Sequence, residues 1–133
     1  MILFHIVPFD KVWTVWEYVA VWIKAACSHG RIDDYKAIGT SLHMGDQYFM
    51  SLMEDGTLIG VIVFERLGDR LHIISIGGDG LIRMKAQIIA YWEAVALAIG
   101  CTSISFKGRI GWKRVLKEYE FIEDEQGNQV RFL

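Results

Sequence analysis

Two titratable side chains interrupt runs that otherwise have the apolar, β-branched composition of buried strands. Glu65 comes near the end of the run Thr57 to Arg66, and His72 lies in the next run, Leu71 to Ile76. Each is a candidate general base, because a carboxylate or an imidazole can take a proton from a group held within hydrogen-bond reach. Each also has a plainer reading, Glu65 as a surface carboxylate and His72 as an inward-packed histidine. A second group of charges comes late: Lys107, Arg109, Lys113, Arg114 and Lys117. These would either meet phosphates or form a solvated helix face. No aromatic stacking platform accompanies them, so nucleic acid is not the expected partner. His5, His29, His43 and His72 show no metal-ligand spacing, and no metal is expected. Cys27 and Cys101 stand alone in apolar segments and read as buried free thiols. Neither a G-x-S-x-G elbow nor a Walker A loop is present.

The elements that would position these residues succeed one another with short turns. Ile2 to Val7 is a strand stopped by Pro8. Asp10 is placed to cap a helix running to about Ser28, with Gly30 just past its end. Val12, Val15, Trp16, Val19, Ile23 and Ala26 recur on it at helical spacing, and Trp13 and Trp22 broaden that face. The result is either a buried aromatic seam or a surface for a partner. A second helix is predicted over Ile32 to Met44. Gln47 to Glu54, Thr57 to Arg66 and Leu71 to Ile76 then form an antiparallel meander, joined at Asp55-Gly56 and Gly68-Asp69, because glycine accepts positive φ at no steric cost. A glycine-rich corner, Gly77-Gly78-Asp79-Gly80, leads into a helix over Leu81 to Ile99 with Met84, Ile88, Trp92, Val95 and Ile99 on its apolar face. A strand over Cys101 to Phe106, a helix from Gly111 to about Tyr119, and a hairpin of Phe121 to Glu123 with Gln129 to Leu133 complete the chain.

The order β-α-α-β-β-β-α-β-α-β-β joins a meander to a crossover unit. It implies an α/β (α+β) fold with a mixed sheet and helices on both faces. At 133 residues, 53% of them hydrophobic, one domain over residues 1–133 with one core is expected. The net charge of -2 offers no general attraction to nucleic acid or anionic membrane. The apolar start has no basic region or cleavage site, and Val12 to Cys27 is interrupted by Glu17 and Lys24, so neither a signal peptide nor a membrane span is read there.

Ile74 to Phe121 carries the more specific pattern. After I-I-S-I-G-G comes a helix with Y-W-E-A-V-A-L-A-I-G-C, then S-I-S-F-K-G-R-I-G-W-K-R-V-L-K-E-Y-E-F. Gly77, Gly78, Trp92, Glu93, Gly100, Cys101, Gly108, Arg109, Gly111, Trp112, Arg114, Val115, Leu116 and Phe121 are the matching positions. This segment resembles a GNAT-like (N-acetyltransferase fold) protein family of bacteriophages and prophages. The C-terminal half matches closely, and the N-terminal half agrees in element order.

The resemblance implies acetyl-CoA as cofactor if the domain is active, and none if it is not. The pyrophosphate would sit at the start of the helix after the central strand, which assigns cofactor binding to Gly77, Gly78, Gly80, Arg83 and Arg109. The usual loop spacing is absent, and Asp79 puts a carboxylate where the anion would lie. The family's acid, a tyrosine in the pattern L-Y-E-x-x-G-F, falls at Leu116, and its glycine falls at Glu120. These departures favour a catalytically degenerate phage component of the virion or its assembly, binding other phage proteins or a host protein. It would reside in the host cytoplasm or the virion, with self-association left open. The alternative is an acetyl-CoA-dependent N-acetyltransferase modifying a protein or small amine.

Overall fold

Ile2–Val7 forms β1, and a 3-10 turn over Phe9–Lys11 leads into helix α1, Val12–His29. This computed structural model describes residues 2–29, 47–78, 80–106 and 110–133. The helix predicted over Ile32 to Met44 lies outside them. The meander comes next, as β2 (Tyr48–Glu54), β3 (Thr57–Leu67) and β4 (Arg70–Gly78). Asp55 and Gly56 both take positive φ, 51° and 84°, the twist that a two-residue hairpin turn requires. A second 3-10 turn, Leu81–Met84, opens helix α2, Lys85–Ala98. The remaining elements are β5 (Ser103–Phe106), α3 (Ile110–Lys117), β6 (Ile122–Glu123) and β7 (Gln129–Phe132).

The seven strands form one sheet in the order β1-β2-β3-β4-β5-β7-β6. β4 and β5 run parallel, and every other neighbouring pair is antiparallel. The crossover that parallel pairing demands is α2.

The two faces are covered differently. On one, Ile88, Ile89, Trp92 and Ala96 of α2 and Trp112, Val115 and Leu116 of α3 pack on Met50, Leu52, Ile62, Ile73, Ile104 and Phe106. Trp92, Phe106 and Trp112 meet there with ring centroids 5.8 to 6.2 Å apart. The apolar face of α2 differs slightly from the expected one: Ile89 and Ala96 are buried while Ile99 is 38% exposed. The regular helix stops at Ala98, and Ile99 belongs to the turn after it. On the other face Ile23 of α1 joins Val7, Phe49, Val61, Val63 and Ile74, with Trp16 and Trp22 packed against them. Trp13 is half-exposed and meets Trp16 edge-on at 5.7 Å. Tyr18 and Val21 face outward. No described helix is long and apolar enough to cross a membrane.

Candidate functional site

Among the described residues β4 and β5 pair over four positions. Arg70 to Ile73 lie against Ser103 to Phe106, while β4 continues to Gly78. Just past the last pair the β3 ladder slips: Phe64 faces Ile73 and Val63 faces Ser75, so Ile74 is an extra residue in β4. Such a bulge bends its strand and re-aims the residues beyond it. Beside the far half of β4 lies a cavity of about 360 Å³ lined by Ile76, Gly77, Gly78, Gly80, Leu81, Ile82 and Trp112.

Gly80 is left-handed (φ 66°) and starts the 3-10 turn without a side-chain cap, and α2 also begins without one. Backbone N–H groups at a helix start without a cap are the usual donors for an anion. In the same strand as the two glycines, the hydroxyl of Ser75 is buried with no hydrogen-bond partner.

The double glycine has a packing role as well. A Cβ on Gly77 would come 2.9 Å from both Cβ and the carbonyl oxygen of Trp22, so this glycine lets α1 lie directly on the sheet. Gly78 has φ 147°, and a Cβ there would lie 2.2 Å from the carbonyl oxygen of Ile59. Their backbones line the cavity while their missing side chains make room for α1 and β3. Arg83 turns away to β2, where its guanidinium grips Glu54 through two hydrogen bonds of 2.6 and 3.0 Å. That contact lowers the Glu54 pKa and raises that of Arg83. Asp79 and Arg109 lie outside the described residues.

The two candidate bases come together. Glu65 on β3 is the register partner of His72 on β4, and His72 is the register partner of Ser105 on β5. Nδ1 of His72 and Oγ of Ser105 share a hydrogen bond of 2.7 Å. His72 is half-buried and Ser105 fully buried. Sequence reasoning passed over Ser105, Ser75 and the wall formed by Trp112. A signal for Ser105 was present in the alternation of Ser-Ile-Ser-Phe, which sets small polar groups on one face of a wholly buried strand.

At α3, Leu116 is buried in the core and Tyr119 packs half-buried against it. Glu120 adopts φ 68°, the conformation that a glycine at this position would supply without strain. Of the late basic residues, Lys113 pairs with Glu123 at 2.7 Å, while Arg114 and Lys117 are exposed. Lys107 lies outside the described residues. Cys101 is a buried free thiol, its pKa pushed up by burial. Among the described residues no cluster of His, Cys, Asp and Glu could hold a metal.

No protein-family model and no curated protein matches this chain in sequence. Solved structures do match it. A polyamine N-acetyltransferase of Drosophila melanogaster, which forms N-acetylagmatine, superposes with TM-score 0.73 at 9% identity over 100% of both chains. An IAA acetyltransferase from Bacillus cereus gives 0.70 at 11% identity, over 94% of this chain and 79% of that one. A predicted acetyltransferase from Clostridium acetobutylicum, solved with acetyl-CoA, gives 0.65 at 11% identity over 95% and 93%. The likeness establishes the architecture: this chain has the GNAT fold.

Proposed function

We propose that the chain is an acyl-CoA-dependent N-acyltransferase acting on a primary amine. The observation that carries this reading is a cavity of about 360 Å³ at the glycine-rich end of β4, beside a helix start without a side-chain cap, where no described residue of β5 pairs with β4. The residues fit such a donor. Amides at Leu81 and Ile82 would receive the pyrophosphate, the backbone of residues 74–78 offers hydrogen-bonding groups to an amide-bearing arm, and the orphaned hydroxyl of Ser75 lies in that same stretch. Acetyl-CoA would supply the activated acyl thioester.

Calorimetric titration with acetyl-CoA tests this, with Ile82→Glu as control. Ile82 lines the cavity and is 48% exposed, so a carboxylate there repels the pyrophosphate without entering the core. Micromolar binding by the native chain, weakened in the variant, is the expected result.

Two observations favour a second reading. Leu116 buries an alkyl group where the family's acid would stand, and Arg83 is engaged by Glu54 rather than turned to the cavity. On this reading the chain is a catalytically degenerate phage protein whose fold is a scaffold in a virion, in its assembly, or against a host protein. No binding at millimolar acetyl-CoA would support it.

A further inference from the structure

At the end of α2 far from the cavity already described, helix and sheet fill the space between them only in part, for a local reason. Phe4 and Ile6 alternate on one face of β1, and Tyr91, Val95 and Ile99 recur four apart along α2 and the turn after it. Phe4 and Tyr91 are both aromatic and stack with ring centroids 4.3 Å apart, which closes the gap between the layers. One step on, the side chains are the smaller Ile6, Val95 and Ile99, and the space left is a pocket of about 340 Å³ that they line with Tyr48, Phe64 and Arg66. Tyr48 and Phe64 are register partners whose rings stack at 5.7 Å and give the pocket an aromatic wall. Arg66 follows Phe64 by two on β3 and shares its face. Its Nε donates to the Gly68 carbonyl at 2.8 Å, which holds the guanidinium in place, and among the described residues its terminal nitrogens have no partner. Asp69, three residues on, is engaged by the Thr102 hydroxyl.

We propose that this pocket binds a small free carboxylic acid with an aromatic or branched apolar body. Apolar walls supply the contact area for a small ligand while one or two placed polar groups fix its orientation, and the guanidinium fork matches a carboxylate. At the roughly 30 Å³ that a water fills in the liquid, the volume holds about eleven heavy atoms. The Tyr48 and Phe64 rings take the apolar body, and the terminal nitrogens of Arg66 take the carboxylate. Ile6, Tyr48 and Ile99 are exposed, so the ligand enters from solvent without moving the core. The 14 residues of α2 rise about 21 Å, which sets this pocket apart from the one at Leu81 and Ile82. The site therefore stands whether or not the chain is a transferase.

Calorimetric titration with phenylpropionate, which has that size, tests the site, and methyl NMR shifts of Ile6, Val95 and Ile99 locate the ligand. The native chain should bind it with Kd below about 1 mM, and saturating acetyl-CoA should leave that value unchanged. Phenylpropionamide has the same shape without the charge and should bind at least roughly tenfold more weakly. Arg66→Gln should lose the same factor for the acid and nothing for the amide. Ile99→Trp fills the pocket from an exposed position after the helix and should abolish binding of both, while the chain still melts cooperatively. N-acetylphenylalanine presents what a peptide C-terminus would, and its acetamido group exceeds the room, so it should bind more weakly than phenylpropionate. Equal affinity for acid and amide, tighter binding of N-acetylphenylalanine, or shifts at Leu81 and Ile82 in place of Ile6, Val95 and Ile99 would each overturn the proposal. So would the absence of any binding by the native chain at about 10 mM phenylpropionate.

Discussion

Over Arg70–Ile73 strand β4 is paired on both sides, to β3 and to β5, whereas no described residue of β5 pairs with residues 74–78. The closed half is tied further at its start. Thr102 donates its amide to the Asp69 carbonyl at 2.7 Å and its hydroxyl to the Asp69 carboxylate at 3.1 Å, and the Leu133 amide donates to the Thr102 carbonyl at 2.9 Å. The open half has instead a bulge, two glycines, an unpartnered serine hydroxyl and a cavity. A strand fixed on both edges holds a side chain such as His72 in one place. The glycine-rich end instead presents backbone to the cavity. One strand is therefore locked at one end and cavity-lining at the other.

The harshest way to break this contrast is to add one carbon at each end. Gly78→Ala in the open half drives Cβ into the Ile59 carbonyl at a φ that alanine resists. It should cost roughly 3 kcal/mol or more. Gly68→Ala, in the turn before the closed half, has φ 62° but nothing within 4 Å, so only the conformational cost of about 1 kcal/mol remains. Urea denaturation of both variants measures the difference. Equal losses would mean that the open half is not closely packed by β3.

Ligand binding gives the next effect. Ile82→Glu should weaken acetyl-CoA binding roughly tenfold, since like charges several ångströms apart repel by about 1 to 2 kcal/mol at an effective dielectric near 20. Ser75→Ala sharpens the same point from the other side. Removing a buried hydroxyl with no partner should leave the free protein as stable or more so by up to about 1 kcal/mol, while the acetyl-CoA affinity falls. A thermal shift paired with calorimetry reads both. Lower stability with unchanged affinity would show that Ser75 serves the fold alone.

Much of the scaffold was legible because its signals are local. Asp55-Gly56 and Gly68-Asp69 announce their turns, Pro8 ends β1, and Ile2–Val7 is observed as read. The register of β4 on β5 was not legible, because it is a property of pairing between segments about thirty residues apart. Nor does Ile74 announce the bulge, since an isoleucine suits a regular strand as well as an irregular one. The partners of His72 and Arg83 were hidden for the same reason: Ser105 is 33 residues from His72, and Glu54 is 29 from Arg83. Gly77 and Gly78 were found by type, yet their crowding against Trp22 and Ile59 comes from the layer packing.

Glu120 extends the comparison to the segment that enters β6. Its φ of 68° is strained for any side chain lacking a local hydrogen bond. Glu120→Gly should therefore raise stability by about 1 kcal/mol, read as a higher urea midpoint with an unchanged slope.

The smallest effect belongs to the closed end and depends on pH. Asp124 accepts the backbone N–H groups of Asn128 and Gln126, each at 2.9 Å, and lies 3.9 Å from Arg70 at the start of β4. The Asn128 amide does most to lower its pKa below the ordinary aspartate value. A depressed carboxylate pKa adds stability that is complete above the unfolded value and is lost as pH falls through the folded one. Native melting temperature should thus drop on acidification below the normal carboxylate range. Asp124→Asn should be less stable at neutral pH and should show a shallower acid drop. Because the group is open to solvent, the effect ranks last. Its position matters more than its size: the turn it organises precedes β7, which pairs with β5, which pairs with His72's half of β4. If the closed half is held through that chain of pairings, Asp124→Asn should lower the melting temperature at neutral pH while leaving acetyl-CoA affinity, a property of the open half, unchanged.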